Sequence, residues 1–342
     1  MEIVLTDPVD GARAAPRWLE RAAAGVLCDR RDVPFVRLML VLTVTVVPSG
    51  VLLFWPGAFW AWRAALHLGL IVYFMGPFVL MLHNTSHRRL FRRPWGFANR
   101  YIPWVLGPFF GESPDTYFAH HIGMHHPENN LADDISSTMP YVRDSAVDFA
   151  RYFLRFFVAG IFELAAYFAR RTRRSLLVRT LAGESLFLLS VAGLLFVDWR
   201  ATLVVFVAPF VVVRFAMMAG NWAQHAFVDR DAPASAYGNS ITCINTTYNR
   251  RCFNDGYHIG HHIKATRHWT EMPGDFRASL ATYARERAIV FEGVDFFGVW
   301  MMLMLRRYDW LSRRVVALDG EPRPEREIIE FLRSRTQWVS RA

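Results

Sequence analysis

Ten of the twelve histidines in this 342-residue chain stand in four groups. His83-Asn-Thr-Ser-His87 is the first, and His120-His121-Ile-Gly-Met-His125-His126 is the second. Asn221-Trp-Ala-Gln-His225 is the third and His258-Ile-Gly-His261-His262 the fourth. Residues three or four apart share one face of a helix. The spacing therefore pairs His83 with His87, His121 with His125, Asn221 with His225, and His258 with His261. Neutral imidazole is the commonest metal ligand and suits iron, zinc and copper. With His120 set aside as ambiguous, His83, His87, His121, His125, His126, His225, His258, His261 and His262 remain as candidate ligands. They outnumber the ligands of a single zinc site and suit two metal ions with four or five imidazoles each. His67 lies roughly 24 Å before His83 along a helix at ~1.5 Å per residue. It reads as a packed or interfacial side chain. His268 reads as a surface residue or an outer neighbour of the last group.

The elements that carry these groups are apolar. Hydrophobic residues make up 53% of the chain and charged ones 20%, which excludes a disordered chain. Four runs approach the ~20 apolar residues needed to cross a bilayer: 38–54, 64–82, 181–197 and 201–220. They form two hairpins whose tight turns carry Trp55, Trp60, Trp62 and Trp199, as an interfacial belt would. The opposite flanks are basic: Arg13 to Arg37, Arg88 to Arg100, and Arg170 to Arg174. The positive-inside rule then places both termini and every histidine group in the cytoplasm.

The expectation is one all-α membrane domain over residues 1–342. It has a cytoplasmic segment 1–34, transmembrane hairpins at 35–82 and 181–220, and a cytoplasmic helical cap from 83–180 and 221–342 that holds the metals. The first run lies too far from the N-terminus to be a signal peptide. Residues 101–110 are too short to span and suggest a re-entrant segment. Residues 152–168 contain Arg155 and Glu163 and read as a helix on the membrane surface, as do 294–305. The +9 net charge thus marks one side of the membrane, and nucleic-acid binding is excluded.

Two metals beside an apolar interior point to iron and O2 chemistry on a lipid chain. An unactivated methylene has no acidic proton and no leaving group, so the cofactor must do the hard chemistry while the protein orients the chain. Carboxylates that accept the second N–H of a ligating histidine fix its ring. Glu128, Asp133, Asp134 and Asp255 are candidates for this, with His120 as a further metal or outer residue; pairing of these acids with nearby Arg is the alternative. Arg88, Arg89, Arg92 and Arg93 are candidates for binding a headgroup. The three cysteines are too scattered for an iron–sulfur cluster, and no haem or dinucleotide motif is present. Electrons must come from outside, from a ferredoxin, rubredoxin or cytochrome-b5-like protein.

Across roughly residues 35–285 the sequence resembles the integral-membrane fatty acid desaturase and hydroxylase superfamily. His83 and His87 look like its first histidine box, and His258, His261 and His262 like its last. His121, His125 and His126 look like the second, with three intervening residues where acyl desaturases usually have two. That spacing is closer to the membrane alkane hydroxylases. Asn221 and His225 are similar to the Asn-x-x-x-His element in which the His binds iron and the Asn reaches it through water. The resemblance implies a non-haem di-iron centre, O2 as co-substrate, and a double bond introduced into an acyl chain carried by CoA, acyl carrier protein, a glycerolipid or as free acid. Hydroxylation, or decarboxylation to a terminal alkene, is the alternative on the same scaffold. A membrane metal-binding or transport protein is the non-enzyme alternative. Arg far outnumbers Lys, as in GC-rich bacterial genomes, so a bacterial inner membrane is the expected location.

Overall fold

The computed structural model describes residues 3–9 and 17–339. Arg13 and the two chain ends lie outside the described residues. The chain divides into two compact units: a bundle unit of residues 17–123 and 164–215, and a carboxy-terminal unit of 3–9, 124–163 and 216–339.

Five long helices dominate: α1 (Val33–Val51), α2 (Trp60–His87), α3 (Ala146–Arg170), α4 (Arg174–Val197) and α5 (Ala208–Gln224). Among the described residues, five helical segments built on them are long and apolar enough to cross a membrane. Four were expected, and α3 is the addition. The two charges that marked it as surface-lying pair with each other: Arg155 donates to Glu163 at 3.0 Å. Val44, Leu66, Val72, Leu189 and Phe196 are all more than half exposed. Water would penalise that surface and lipid would not.

In the bundle unit the charged residues of the tight turns finish helices. Arg63 donates to the carbonyls of Leu52 (2.7 Å) and Trp55 (3.1 Å), just past the end of α1. Asp198 caps the next helix start by accepting from the Ala201 amide at 3.0 Å. His67 is fully buried with Nδ1 2.8 Å from Ser49 Oγ, the packed role its position predicts. The 101–110 stretch stays short: one wide turn over Ile102–Leu106 is followed by Gly107–Phe109 and a reversal at Gly111, φ 72°. A Cβ on Gly111 would overlap the backbone of Pro209 and Phe210, and one on Gly183 the carbonyl of Pro114.

The carboxy-terminal unit departs from the all-α expectation. Strands β1 (Ile241–Ile244) and β2 (Ile289–Glu292) pair in parallel, with Ile241 opposite Ile289 and Ile244 opposite Glu292. Short buried runs rich in β-branched and aromatic residues suit strands better than helices. Between and beyond them lie α6 (His258–Ile263), α7 (Phe296–Met304) and α8 (Glu325–Arg335). Helix α7 buries Phe296, Val299 and Leu303 against the sheet and turns Phe297 and Met301 outward. That apolar outer face suits a helix lying on a membrane.

Arg143 holds the unit together. Its fully buried guanidinium donates to the carbonyls of Ala226 (2.9 Å), Tyr141 (2.9 Å), Arg335 (3.0 Å) and Gln337 (2.6 Å). Burial pulls its pKa down to about 9, so it is charged at neutral pH. Substituting Arg143→Met leaves several buried carbonyls without donors, at ~1–3 kcal/mol each. A loss of about 3 kcal/mol or more in denaturant unfolding is expected, with early protease cutting after residue 335. Gly183→Ala should cost a comparable amount through overlap alone, about 1–3 kcal/mol, and a melt unchanged from wild type would contradict the packing described.

Candidate metal centre

Helix α2 continues past its apolar part through His83 and His87, whose rings lie 5.1 Å apart, four residues along one face. It ends where Arg88 turns to extended backbone. His121 meets them within the bundle unit: its Nε2 is 2.9 Å from His87 Nε2, and its ring is 4.6 Å from that of His83. Tyr117 stacks on the His121 ring at 5.3 Å. The donor atoms of these three histidines lie within 4.8 Å of one another.

A second cluster lies wholly in the carboxy-terminal unit. His125, His225, His258 and His262 bring donor atoms within 4.8 Å of one another. His258 Nε2 is 3.3 Å from His225 Nε2 and 3.0 Å from His262 Nε2. His126 and His261 form a further pair, Nε2 to Nε2 at 3.0 Å.

This grouping corrects two of the expected pairs. His121 and His125 do not point together, and His258 joins His262 and not His261. The reason is local. Residues His121–His125 form a π turn, in which each amide bonds the carbonyl five residues back. The wider turn absorbs the third intervening residue of the second box and swings His125 away from His121. In α6 the ordinary i, i+4 relation puts His258 beside His262.

The Nδ1 atoms show which ring nitrogens face the cluster. Asp134 Oδ2 lies 2.7 Å from His125 Nδ1. Asp134 is itself held by the amides of Asn130 (3.0 Å) and Ser136 (2.8 Å) and by the Ser136 hydroxyl (2.6 Å). His225 Nδ1 lies 2.9 Å from the Asn239 carbonyl, which can only accept. Both rings thus donate through Nδ1 and turn an Nε2 lone pair inward. Burial, then the neighbouring His125, lowers the His225 pKa to about 4. Burial, then His258 and the other histidines, holds His262 well below its usual value. Neutral, convergent lone pairs at about 3 Å repel unless a cation lies among them, and one proton can bridge only one pair. The donor set therefore fits a metal ion.

The other sequence candidates scatter. Asp134 accepts from His125, as described. Asp255 accepts from Tyr248 (2.6 Å) and Gln224 (3.2 Å), and burial raises its pKa to about 6. Asp133 is exposed and Glu128 half-buried. Asn221 donates to the Ser136 carbonyl (3.0 Å) and the Tyr152 hydroxyl (2.7 Å). His120 ends a short helix, and among the described residues it belongs to neither cluster. The surface alternative for His268 is corrected: it is 2% exposed and caps a helical turn through Nδ1, with the Thr270 amide at 3.1 Å. Two of the four headgroup arginines are committed elsewhere. Arg88 pairs with Asp29 (3.1 Å) and Asp32 (3.5 Å), and Arg92 donates to the Leu27 carbonyl (2.8 Å).

Sequence reasoning missed Asn130, Ser136 and Asn239. A faint signal was present in Asn129-Asn130, since Asn tolerates left-handed backbone. Both take it, at φ 49° and 61°, and fold Asp134 back onto His125. Asp134→Asn removes the charged acceptor and should weaken metal binding about 10–100-fold. Metal retained against graded chelator, with helicity unchanged, is the measurement; wild-type retention would remove Asp134 from the site.

No curated protein matched the chain. A family model described as fatty acid desaturase matches residues 60–293, from the start of α2 to just past β2. That stretch is more than half of the chain and contains every histidine group and most of the long apolar helices, so the chain belongs to the fatty acid desaturase family and is an integral membrane protein.

Proposed function

We propose that the protein is an O2-dependent di-iron fatty acyl desaturase that introduces a double bond into a lipid acyl chain. The observation that carries this reading is the convergence of four imidazoles, three buried and His262 half-buried, two of them with the Nδ1 proton committed to Asp134 and Asn239. His125, His225, His258 and His262 would hold one iron. His83, His87 and His121 would contribute to a second, and His126 and His261 complete the nine. Bound iron with O2 supplies the oxidising power that an unactivated methylene demands. The chain's own part is to hold the rings rigid, keep them neutral and exclude water. Asp134 and Asn239 do the first, burial the other two. Tyr152 and Asn221 brace the Ser136 loop behind His125.

The second cluster also bears on topology. His125 precedes α3, and His225, His258 and His262 follow α5, yet all four meet in one unit. An even number of crossings between them is required. This supports four crossings, with α3 along the membrane surface and both termini on one side. A reporter fused to each terminus should report the same side; opposite sides would mean that α3 crosses.

Hydroxylation is the second reading, favoured by the π turn at His121–His125, which accommodates the hydroxylase-like box spacing. An external, acidic electron donor would suit the basic face. Lipid profiling of an expressing host, aerobic and anaerobic, tests the proposal. Products that have lost two hydrogens, formed only with O2 and absent for His258→Ala, are expected, along with about two iron ions per chain. Zinc or no metal in active protein would sink it, and an added oxygen atom would favour the hydroxylase.

A further inference from the structure

A cavity of about 830 Å³ lies within the bundle unit, at the end of α2. Leu82, Thr85 and Ser86 line it from one face of that helix, while His83 and His87 occupy the neighbouring face. Tyr117 lines it as well and stacks on His121, so the cavity adjoins the first histidine cluster.

Its charge is lopsided. Arg89, Arg93, Arg100 and Arg179 line it, against Asp115 and Glu112. Asp115 is taken by Arg179 at 3.1 Å. Glu112 is 5% exposed, and its Oε1 has no hydrogen-bond partner among the described residues. Burial, opposed by Arg214, raises its pKa to about 7, so much of it is a neutral hydrogen-bond donor. No ion pair engages Arg89, Arg93 or Arg100 among the described residues. Arg88 and Arg92 are held by Asp29, Asp32 and Leu27 as described. Two arginines thus anchor the segment, and three line the cavity with no ion pair among the described residues.

The setting fixes the depth. The arginines follow the last apolar turn of α2. Trp95, Phe97 and Trp104 beside them are 47%, 71% and 41% exposed, as residues at the headgroup level of a bilayer are. Basic pockets at that level recognise phosphate headgroups. We infer that this cavity is a binding site for the phosphate of an anionic phospholipid, held by Arg89, Arg93 and Arg100 with Glu112 donating from the buried end. The site adds a lipid ligand to the protein whatever reaction it performs.

The full-length protein in a neutral detergent is titrated with dioleoylphosphatidylglycerol and with dioleoylphosphatidylcholine, and bound lipid is read by native mass spectrometry. About a tenfold or greater preference for the anionic lipid is expected, the size of one charged hydrogen bond. Arg89→Gln/Arg93→Gln/Arg100→Gln should abolish that preference, and the corresponding triple Lys variant should keep most of it. These positions are exposed, so both variants should melt as wild type does. An unaltered preference in the Gln variant overturns the site, as does the lack of one in wild type. Inorganic phosphate at millimolar concentration should displace the lipid. Displacement by palmitate but not by phosphate would overturn the lipid assignment and give the cavity to an acyl carboxylate. The readout needs neither iron nor turnover, so it stands apart from the desaturase proposal.

Discussion

A neutral imidazole has one proton and one lone pair, and burial makes the position of both matter. His125, His225 and His258 are buried where water cannot serve them, and the half-buried His262 closes the cluster. Asp134 takes the Nδ1 proton of one and the Asn239 carbonyl that of another. The lone pairs that remain meet at distances that only a cation makes favourable. Much of the carboxy-terminal unit serves this arrangement. The left-handed pair Asn129-Asn130 returns Asp134 to His125. Asn130 also donates to Asn239 Oδ1 at 2.7 Å, and so links the supports of two different histidines. Thr138 donates to the carbonyl of His225 at 2.6 Å.

The same unit relies on Arg143, a buried cation that forms no ion pair among the described residues. Its charge is spread over carbonyl dipoles contributed by residues before α3, after α5 and after α8. A planar guanidinium can satisfy several carbonyls at once in directions that an ammonium cannot. Segments far apart in the chain are thereby tied together next to the site. The bundle unit uses polar groups differently. Ser113, Glu184 and Arg214 form one buried network, and elsewhere Gly111 and Gly183 let backbones approach at contact distance. Small residues and paired charges are how apolar helices pack where lipid offers no hydrophobic drive.

The π turn at His121–His125 connects local sequence to the division of labour among the histidines. One additional residue in the box would rotate everything after it if the helix stayed regular. The wider turn takes up that residue within five positions, and the two ends of the box then serve different clusters. The left-handed Asn129, directly after His126-Pro127-Glu128, ends the helix there and frees the chain to fold back.

Composition and spacing alone determined the class of this protein. Apolar runs of bilayer length, one-sided arginines and four histidine groups are local properties that any fold of the chain must respect. They led to the family, to the candidate ligands and to Asp134. Which histidine pairs with which was decided only by tertiary structure. A spacing of four puts two side chains on one face only while the backbone stays α-helical, and at His121 it does not. His268 and Arg88 show the same limit: their types allowed a surface or ligand-binding role, and the neighbours brought to them, Thr270 and Asp29, gave them another. Asn239 and Arg143 were illegible beforehand, because a polar residue acquires its role from the partners that folding places around it, and sequence spacing carries no record of them.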